Sequence, residues 1–200
     1  VVSHFDNKVY IYDLATPFDI STMDVDNRTA VDTNSLGDNL NTNNSNNKIK
    51  LNNDGTKVFF VSGSGQAQFH NLATPYDVAS ISESTIIDDD SIDYRTEYSA
   101  TIGNMKGFAF NNDGSKMYLS DGNQNTGNIV QVNLSTPYDP SSGTFEYNLD
   151  TKSSVGNVFT GDLAFDDDGT RLYLTKIHNN STTSPAFIYV WKLSKPFELS

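Results

Sequence analysis

Seven polar side chains stand out for the chemistry their types allow: His4, Asp6, Lys106, Asp121, Asn123, Lys176 and His178. A histidine beside a carboxylate can exchange protons near neutral pH, and either group can ligate a metal. Lysine, asparagine and aspartate together supply the donors and acceptors that orient a polar ligand. On the reading developed below, all seven fall in loops at one end of a repeated strand pattern, with His4 and His178 in equivalent loops. Solvated loop residues are the plain reading of such a set, and a polar ligand site is the functional one. His70 is read apart, as a histidine packed within a strand or at its edge.

Other acidic groups invite calcium. Asp166-Asp167-Asp168-Gly169 lacks the alternating spacing and the distant bidentate glutamate of a helix-loop-helix calcium site, so a structural turn is the preferred reading. Asp88, Asp89, Asp90 and Asp93 form a second acidic group of the same ambiguity. No cofactor is expected, Ca2+ being the one ion these runs invite. The four glutamates, Glu83, Glu97, Glu146 and Glu198, lie outside the candidate loops, and neither G-x-S-x-G nor H-E-x-x-H occurs. The chain has no cysteine, which excludes disulfides, zinc thiolates and a cysteine nucleophile.

The elements that must position these residues repeat. Asp-Gly recurs at Asp54-Gly55, Asp113-Gly114 and Asp168-Gly169, and a second marker, Thr/Lys-Pro-aromatic-acid, recurs at Pro17, Pro75, Pro137 and Pro196. Both markers keep a period of roughly 60 residues in constant order, which defines a repeat protein. In the central unit, Lys106 to Phe110 and Lys116 to Ser120 flank the Asp-Gly turn as two strands. Ile129 to Leu134 alternates as a third strand, and Thr144 to Leu149 makes a fourth. Asn and Asp favour the turn and Gly supplies positive φ. Pro137 ends pairing, and the aromatic at 138 is expected to pin the turn against the sheet.

Aligning the other units divides the chain into a partial unit at 1–47, units at 48–103 and 104–155, and a partial unit at 156–200. The first begins inside or after its second strand, the last lacks its fourth, and residues 38–47 form an Asn-rich loop between units. No 3.6-residue apolar period persists, so the expected class is all-β. The apolar content of 36% is lean, but 12 Phe, 10 Tyr and one Trp provide a core.

The net charge of −12 is scattered along the chain. That pattern disfavours nucleic acid, which needs clustered Lys and Arg, and favours a solvated acidic surface. No apolar run approaches the length of a membrane-spanning helix, so no membrane insertion is expected.

Phe110-Asn-Asn-Asp-Gly-Ser-Lys-Met-Tyr-Leu, Phe165-Asp-Asp-Asp-Gly-Thr-Arg-Leu-Tyr-Leu and Leu51-Asn-Asn-Asp-Gly-Thr-Lys-Val-Phe-Phe resemble the repeat signature of YVTN-type and TolB-like β-propellers. The resemblance implies a β-propeller of four-stranded antiparallel blades, about three and a half of them in this chain. It specifies a blade rather than a chemistry, because the resembling families span lactonases, periplasmic scaffolds and surface adhesins. The function it implies is a non-enzymatic binding or structural module, secreted, surface-displayed or periplasmic, that takes a polar ligand such as a glycan, or a protein partner. A metal-assisted, lactonase-like hydrolase is the alternative. Because propellers typically hold about 4–8 blades, the resemblance further implies either a piece of a larger propeller or the self-association of two half-propellers.

Overall fold

The computed structural model describes residues 2–3, 8–32, 48–61, 66–81, 92–93, 105–122, 127–155, 159–177 and 187–200. Its strands are β1 (Val2–Ser3), β2 (Lys8–Leu14), β3 (Met23–Asp32), β4 (Lys48–Leu51), β5 (Lys57–Val61), β6 (Gln66–Asn71), β7 (Ile92–Asp93), β8 (Met105–Phe110), β9 (Lys116–Asp121), β10 (Asn128–Leu134), β11 (Gly143–Asp150), β12 (Phe159–Phe165), β13 (Arg171–Ile177) and β14 (Phe187–Lys192). They form four antiparallel sheets with the strands in chain order across each: β1-β2-β3, β4-β5-β6-β7, β8-β9-β10-β11 and β12-β13-β14. The chain is all-β, and its complete sheets are the four-stranded blades of a propeller. A one-turn helix, α1 (Lys152–Val155), follows β11.

Each Asp-Gly turn is built the same way. In the third sheet, Asn111 N–H donates to the Lys116 carbonyl, while the Asn111 carboxamide oxygen accepts from Lys116 N–H at 2.9 Å. Asp113 accepts from both the amide and the hydroxyl of Ser115, at 2.9 and 2.6 Å. Asn52, Asp54 and Thr56 repeat this in the second sheet, and Asp166, Asp168 and Thr170 in the fourth. The hydroxyl bond, seconded by the amide bond, holds the carboxyls of Asp54, Asp113 and Asp168 below the ordinary aspartate range. Among the residues of these turns only the glycine takes positive φ, between 68° and 73°.

The second marker is a proline-led turn. Asp19, Asp77, Asp139 and Glu198 each donate an amide to the carbonyl three residues back, at 3.1–3.2 Å. Proline holds the second position and the aromatic the third, where Phe18, Tyr76, Tyr138 and Phe197 all take φ between 56° and 63°. A turn with this pattern ordinarily wants glycine or asparagine there. A bulky side chain in the left-handed region costs on the order of 1–3 kcal/mol, so something must hold it in place.

What holds it is the Asp-Gly turn of the same blade. The Tyr138 ring lies directly on Gly114, where an added Cβ would stand 2.3 Å from the ring; Tyr76 lies on Gly55 and Phe197 on Gly169 in the same way. The aromatic amide donates to the glycine carbonyl in all three cases, at 2.8–2.9 Å. The leucine four residues before it (Leu72, Leu134, Leu193) donates to the carbonyl of the residue after the glycine, at 2.7–2.8 Å. Tyr76 and Tyr138 add a hydroxyl bond to the carbonyls of Asn53 and Asn112. The two sequence markers are thus the two halves of one clasp, which in the second, third and fourth sheets ties the first hairpin to the end of the third strand.

The chain divides into two compact units, residues 1–62 with 68–91 and residues 63–67 with 92–200. In the first, Val9 of β2 packs with Val58 and Phe60 of β5, Leu72 and Val78, with Ile11, Val31 and Ile49 alongside. In the second, Ala109, Tyr118 and Ile129 meet Leu163, Leu172, Leu174 and Leu199. Backbones come close at Gly107, where a Cβ would fall 2.6 Å from the Asp162 Cα. Ser120 donates to the Gly161 carbonyl at 2.6 Å, and the Asn112 side chain donates to the Asp167 carbonyl at 2.6 Å. Tyr118, fully buried, packs its ring at a tilt against Phe165, centroids 4.5 Å apart, and donates to the Phe197 carbonyl. Burial, and then the carboxylates of Glu198, Glu146 and Asp113, raise its pKa far above the ordinary phenol value.

The clasp makes a specific prediction for the third sheet. Gly114→Ala meets both a forbidden φ and the Tyr138 ring, and should destabilise by about 2–4 kcal/mol in guanidinium unfolding followed by Trp191 fluorescence. In the background of Tyr138→Ala, the same substitution should retain only its φ penalty, leaving a coupling of about 1–2 kcal/mol. Additive effects would show that ring and glycine do not act together.

Candidate functional site

The structure places three of the seven candidate residues. Lys106 sits in β8, at the bulge between Met105 and Gly107 where the β8–β9 register shifts. Asp121 is the last residue of β9, opposite Met105, and is fully buried. Lys106 keeps its expected place at the start of a strand, whereas Asp121 is a strand residue rather than a loop residue, because the bulge lets the ladder run one step beyond the alternating pattern. The Lys106 stem lies across Gly122, where a Cβ would come within 2.0 Å of its Cγ. Lys176 lies in β13, paired with Thr160 of β12. The Thr160 hydroxyl donates to the Asp121 carbonyl, so these three positions share one end of the two packed sheets of the second unit. His4, Asp6, Asn123 and His178 lie outside the described residues. At this end the Lys106 stem lies over Gly122, next in the chain to the buried Asp121, whose carbonyl the Thr160 hydroxyl caps. Among the described residues, no group of three His, Asp or Glu side chains is placed to hold a metal.

The aspartate run at 166–168 is used by its own turn. Asp166 accepts from the Arg171 amide at 2.8 Å and from the Thr170 hydroxyl and Arg171 guanidinium at 3.2 and 3.3 Å, and Asp168 accepts from the Thr170 amide and hydroxyl. Of the second acidic group, Asp93 lies in β7, and Asp88, Asp89 and Asp90 lie outside the described residues.

Two features went unread in the sequence. The first is a polar knot in the second unit. Lys116 Nζ contacts Glu146 at 2.9 Å and Glu198 at 3.1 Å. The Gln131 carboxamide donates to both carboxylates and accepts from the Leu199 amide at 2.9 Å. Burial works against the Lys116 ammonium, but its bonds to the two glutamates outweigh that and raise its pKa. Burial likewise pushes Glu146 up, and the bonds from Lys116 and Gln131 outweigh it and pull the carboxyl down. The knot fastens the segment after Pro196 to the third sheet.

The second is an apolar groove of about 400 Å³ in the first unit. Val9 and Val78 are buried at its base, Ile11 and Ile49 stand beside them, and Tyr10, Tyr12, Leu14, Phe18, Ile20 and Tyr76 line the rest. Its lining carries no charged side chain among the described residues. Phe18 is 103% exposed and Ile20 76%, well beyond what packed apolar side chains show. The recurring Pro-aromatic marker was the available signal, since Phe18 and Tyr76 are two copies of one position.

His70 in β6 is buried within the sheet, at 1% exposure, with its ring 5.8 Å from that of Phe60. Neither ring nitrogen has a hydrogen-bond partner among the described residues. Burial pushes the imidazole down to about 4.

No family model matches the chain, and no curated protein matches it. Solved structures do. Sqt1 from Chaetomium thermophilum aligns with 96% of this chain at 17% identity and a TM-score of 0.49. The β-propeller domain of Cps50 (Swd1) from Myceliophteria thermophila aligns with 94% at 12% identity and 0.48, and a putative 6-phosphogluconolactonase from Bacteroides uniformis with 96% at 11% and 0.43. The chain spans 39%, 50% and 56% of those three proteins. The blade assignment itself rests on strand order and register.

The His70 environment predicts an acid-labile first unit. The unfolded chain takes up the histidine proton near pH 6.5 and the folded chain only near 4. Stability is therefore whole above pH 6.5 and falls as pH drops from 6.5 to 4, by up to about 3 kcal/mol. Thermal melts followed by circular dichroism should show this loss in the native chain and a flatter profile in His70→Leu. An unchanged profile in the variant would remove His70 as the cause.

Proposed function

We propose that the chain is a non-enzymatic binding module whose partner is a protein, docked in the apolar groove of the first unit. The observation that carries this reading is the groove itself, an uncharged concavity rimmed by Tyr12, Phe18 and Tyr76 with an aromatic ring fully in solvent. Aromatic side chains that enter an interface already ordered dominate binding energy, because they bury much area for little lost rotamer freedom. The turn that carries Phe18 is held by its own bonds: Asp19 accepts from the Ser21 amide at 3.0 Å and the Ser21 hydroxyl at 2.6 Å, and Thr22 bonds back to the Asp19 carbonyl at 2.7 Å. The Ser21 hydroxyl, then its amide, lowers the Asp19 pKa below the ordinary aspartate value. A secreted or surface-exposed setting belongs to the same proposal.

Panning a displayed peptide library against the chain tests it, with a glycan array run in parallel. Peptide binders should weaken about tenfold or more on Phe18→Asp and Ile20→Asp, while the melting temperature stays unchanged because both side chains are exposed. Binders indifferent to both substitutions, or glycan binding alone, would overturn the reading.

A further inference from the structure

Repeat equivalence sets His70 apart. It stands two residues before Leu72, where the first, third and fourth sheets carry Tyr12, Val132 and Trp191 two residues before Leu14, Leu134 and Leu193. Val132 is fully buried, and Trp191 packs on the core of the second unit. Only the copy at residue 70 takes up a proton near neutral pH. Its surroundings are apolar. By strand alternation His70 shares a face of the second sheet with Leu72, and its ring meets Phe60 of β5. Leu72, Phe60 and Val58 pack there against Val9 of β2, with Ile11, Val31 and Ile49 alongside, so the imidazole lies in the layer between the first and second sheets. The charged side chains of the surrounding elements turn elsewhere. Lys57 of β5 donates to Asn71 at 2.8 Å and lies over the Phe69 ring, on the opposite face. Lys48 and Lys50 alternate with Ile49 of β4. Lys8, Asp32 and Arg28 fall on the side of β2 and β3 away from Val9 and Val31. Asp13, Asp24, Asp26, Asp54 and Asp77 are exposed, and Asp93 of β7 stands opposite Gln66, four residues along β6. Neither imidazole nitrogen has a hydrogen-bond partner among the described residues.

A proton on His70 is thus a buried charge without an acceptor, tolerable only once water reaches the ring. We propose that His70 is an acid latch: in mild acid the first and second sheets part along this layer while the second unit stays closed. Burial holds the imidazole down to about 4. Proton uptake therefore favours the opened layer over the closed one progressively between pH 6.5 and 4, by up to about 300-fold. The acids respond later. Asp19, Asp54, Asp113, Asp168 and Glu146 all titrate below their ordinary carboxyl values, so their bonds are lost only as pH falls through that lower range. His70 is the only histidine among the described residues, so nothing else described responds between pH 6.5 and 4.5 in this way. Val9 and Val78 belong to this layer and also floor the groove, so opening the layer takes the groove apart. The latch rests on packing and holds whether or not the groove has a partner.

The test is hydrogen exchange of the full 200-residue chain, read amide by amide by NMR at pH 7.5 and 4.5 and corrected for the intrinsic pH dependence of exchange. Protection in β2, β5 and β6 should fall about 50-fold between the two, while that in β9, β10 and β13 changes by no more than about threefold. His70→Gln, which stays polar but cannot titrate, and His70→Val, which copies the third sheet, should each abolish the fall. A first unit whose protection holds at pH 4.5, or falls equally in both variants, overturns the latch. So does an equal loss in both units of the native chain, which would be unfolding of the whole; that comparison needs neither variant to fold.

Discussion

An aromatic ring held in the left-handed region against a turn glycine is the interaction on which the second, third and fourth sheets depend. Neither half is comfortable alone. The glycine turn leaves two carbonyls facing outward, and the proline-led turn forces a bulky residue to positive φ. Together they satisfy the carbonyls with the aromatic and leucine amides and cover the glycine with the ring. The clasp also sets register, because it fixes where β5, β9 and β13 lie relative to β6, β10 and β14. A one-residue slip would send the apolar alternation of a strand to the wrong face.

From that registration follows the packing within each unit. With β9 and β10 in register, Tyr118 and Ile129 point to the face that meets Leu163, Leu172 and Leu174. Tyr118 then reaches the Phe197 carbonyl, and Phe197 in turn lies on Gly169, so the clasp of the fourth sheet is bonded to the core of the third. The knot of Lys116, Gln131, Glu146 and Glu198 closes the same region with charge. A hydrophobic replacement there would have to satisfy the Leu199 amide as well, which Gln131 does with its carbonyl oxygen.

The period and the strands of the third sheet were legible because Asp-Gly, proline and apolar alternation are local signals. β8 to β11 fall within about a residue of where alternation and turn chemistry place them. What was not legible is nonlocal. Gly114 and Tyr138 are separate markers in the sequence, and nothing in either says that one ring covers the other glycine. Positive φ at an aromatic runs against residue preference, so only the repeated proline before it hints at the turn. The placement of Asp121 in a strand depended on a bulge, which alternation does not reveal. Glu146 and Glu198 are distant in sequence and ordinary in local context, and only the fold brings both to Lys116.

Comparing the four proline-led turns separates what the turn does by itself from what the glycine contact adds. At Tyr76, Tyr138 and Phe197 the strained φ is offset inside the blade by ring contact and two hydrogen bonds. At Phe18 the same φ persists with the ring in solvent, so the clasp is not what produces it. The local turn produces it: proline presets the second position, and the Asp19 and Thr22 bonds lock the residues that follow.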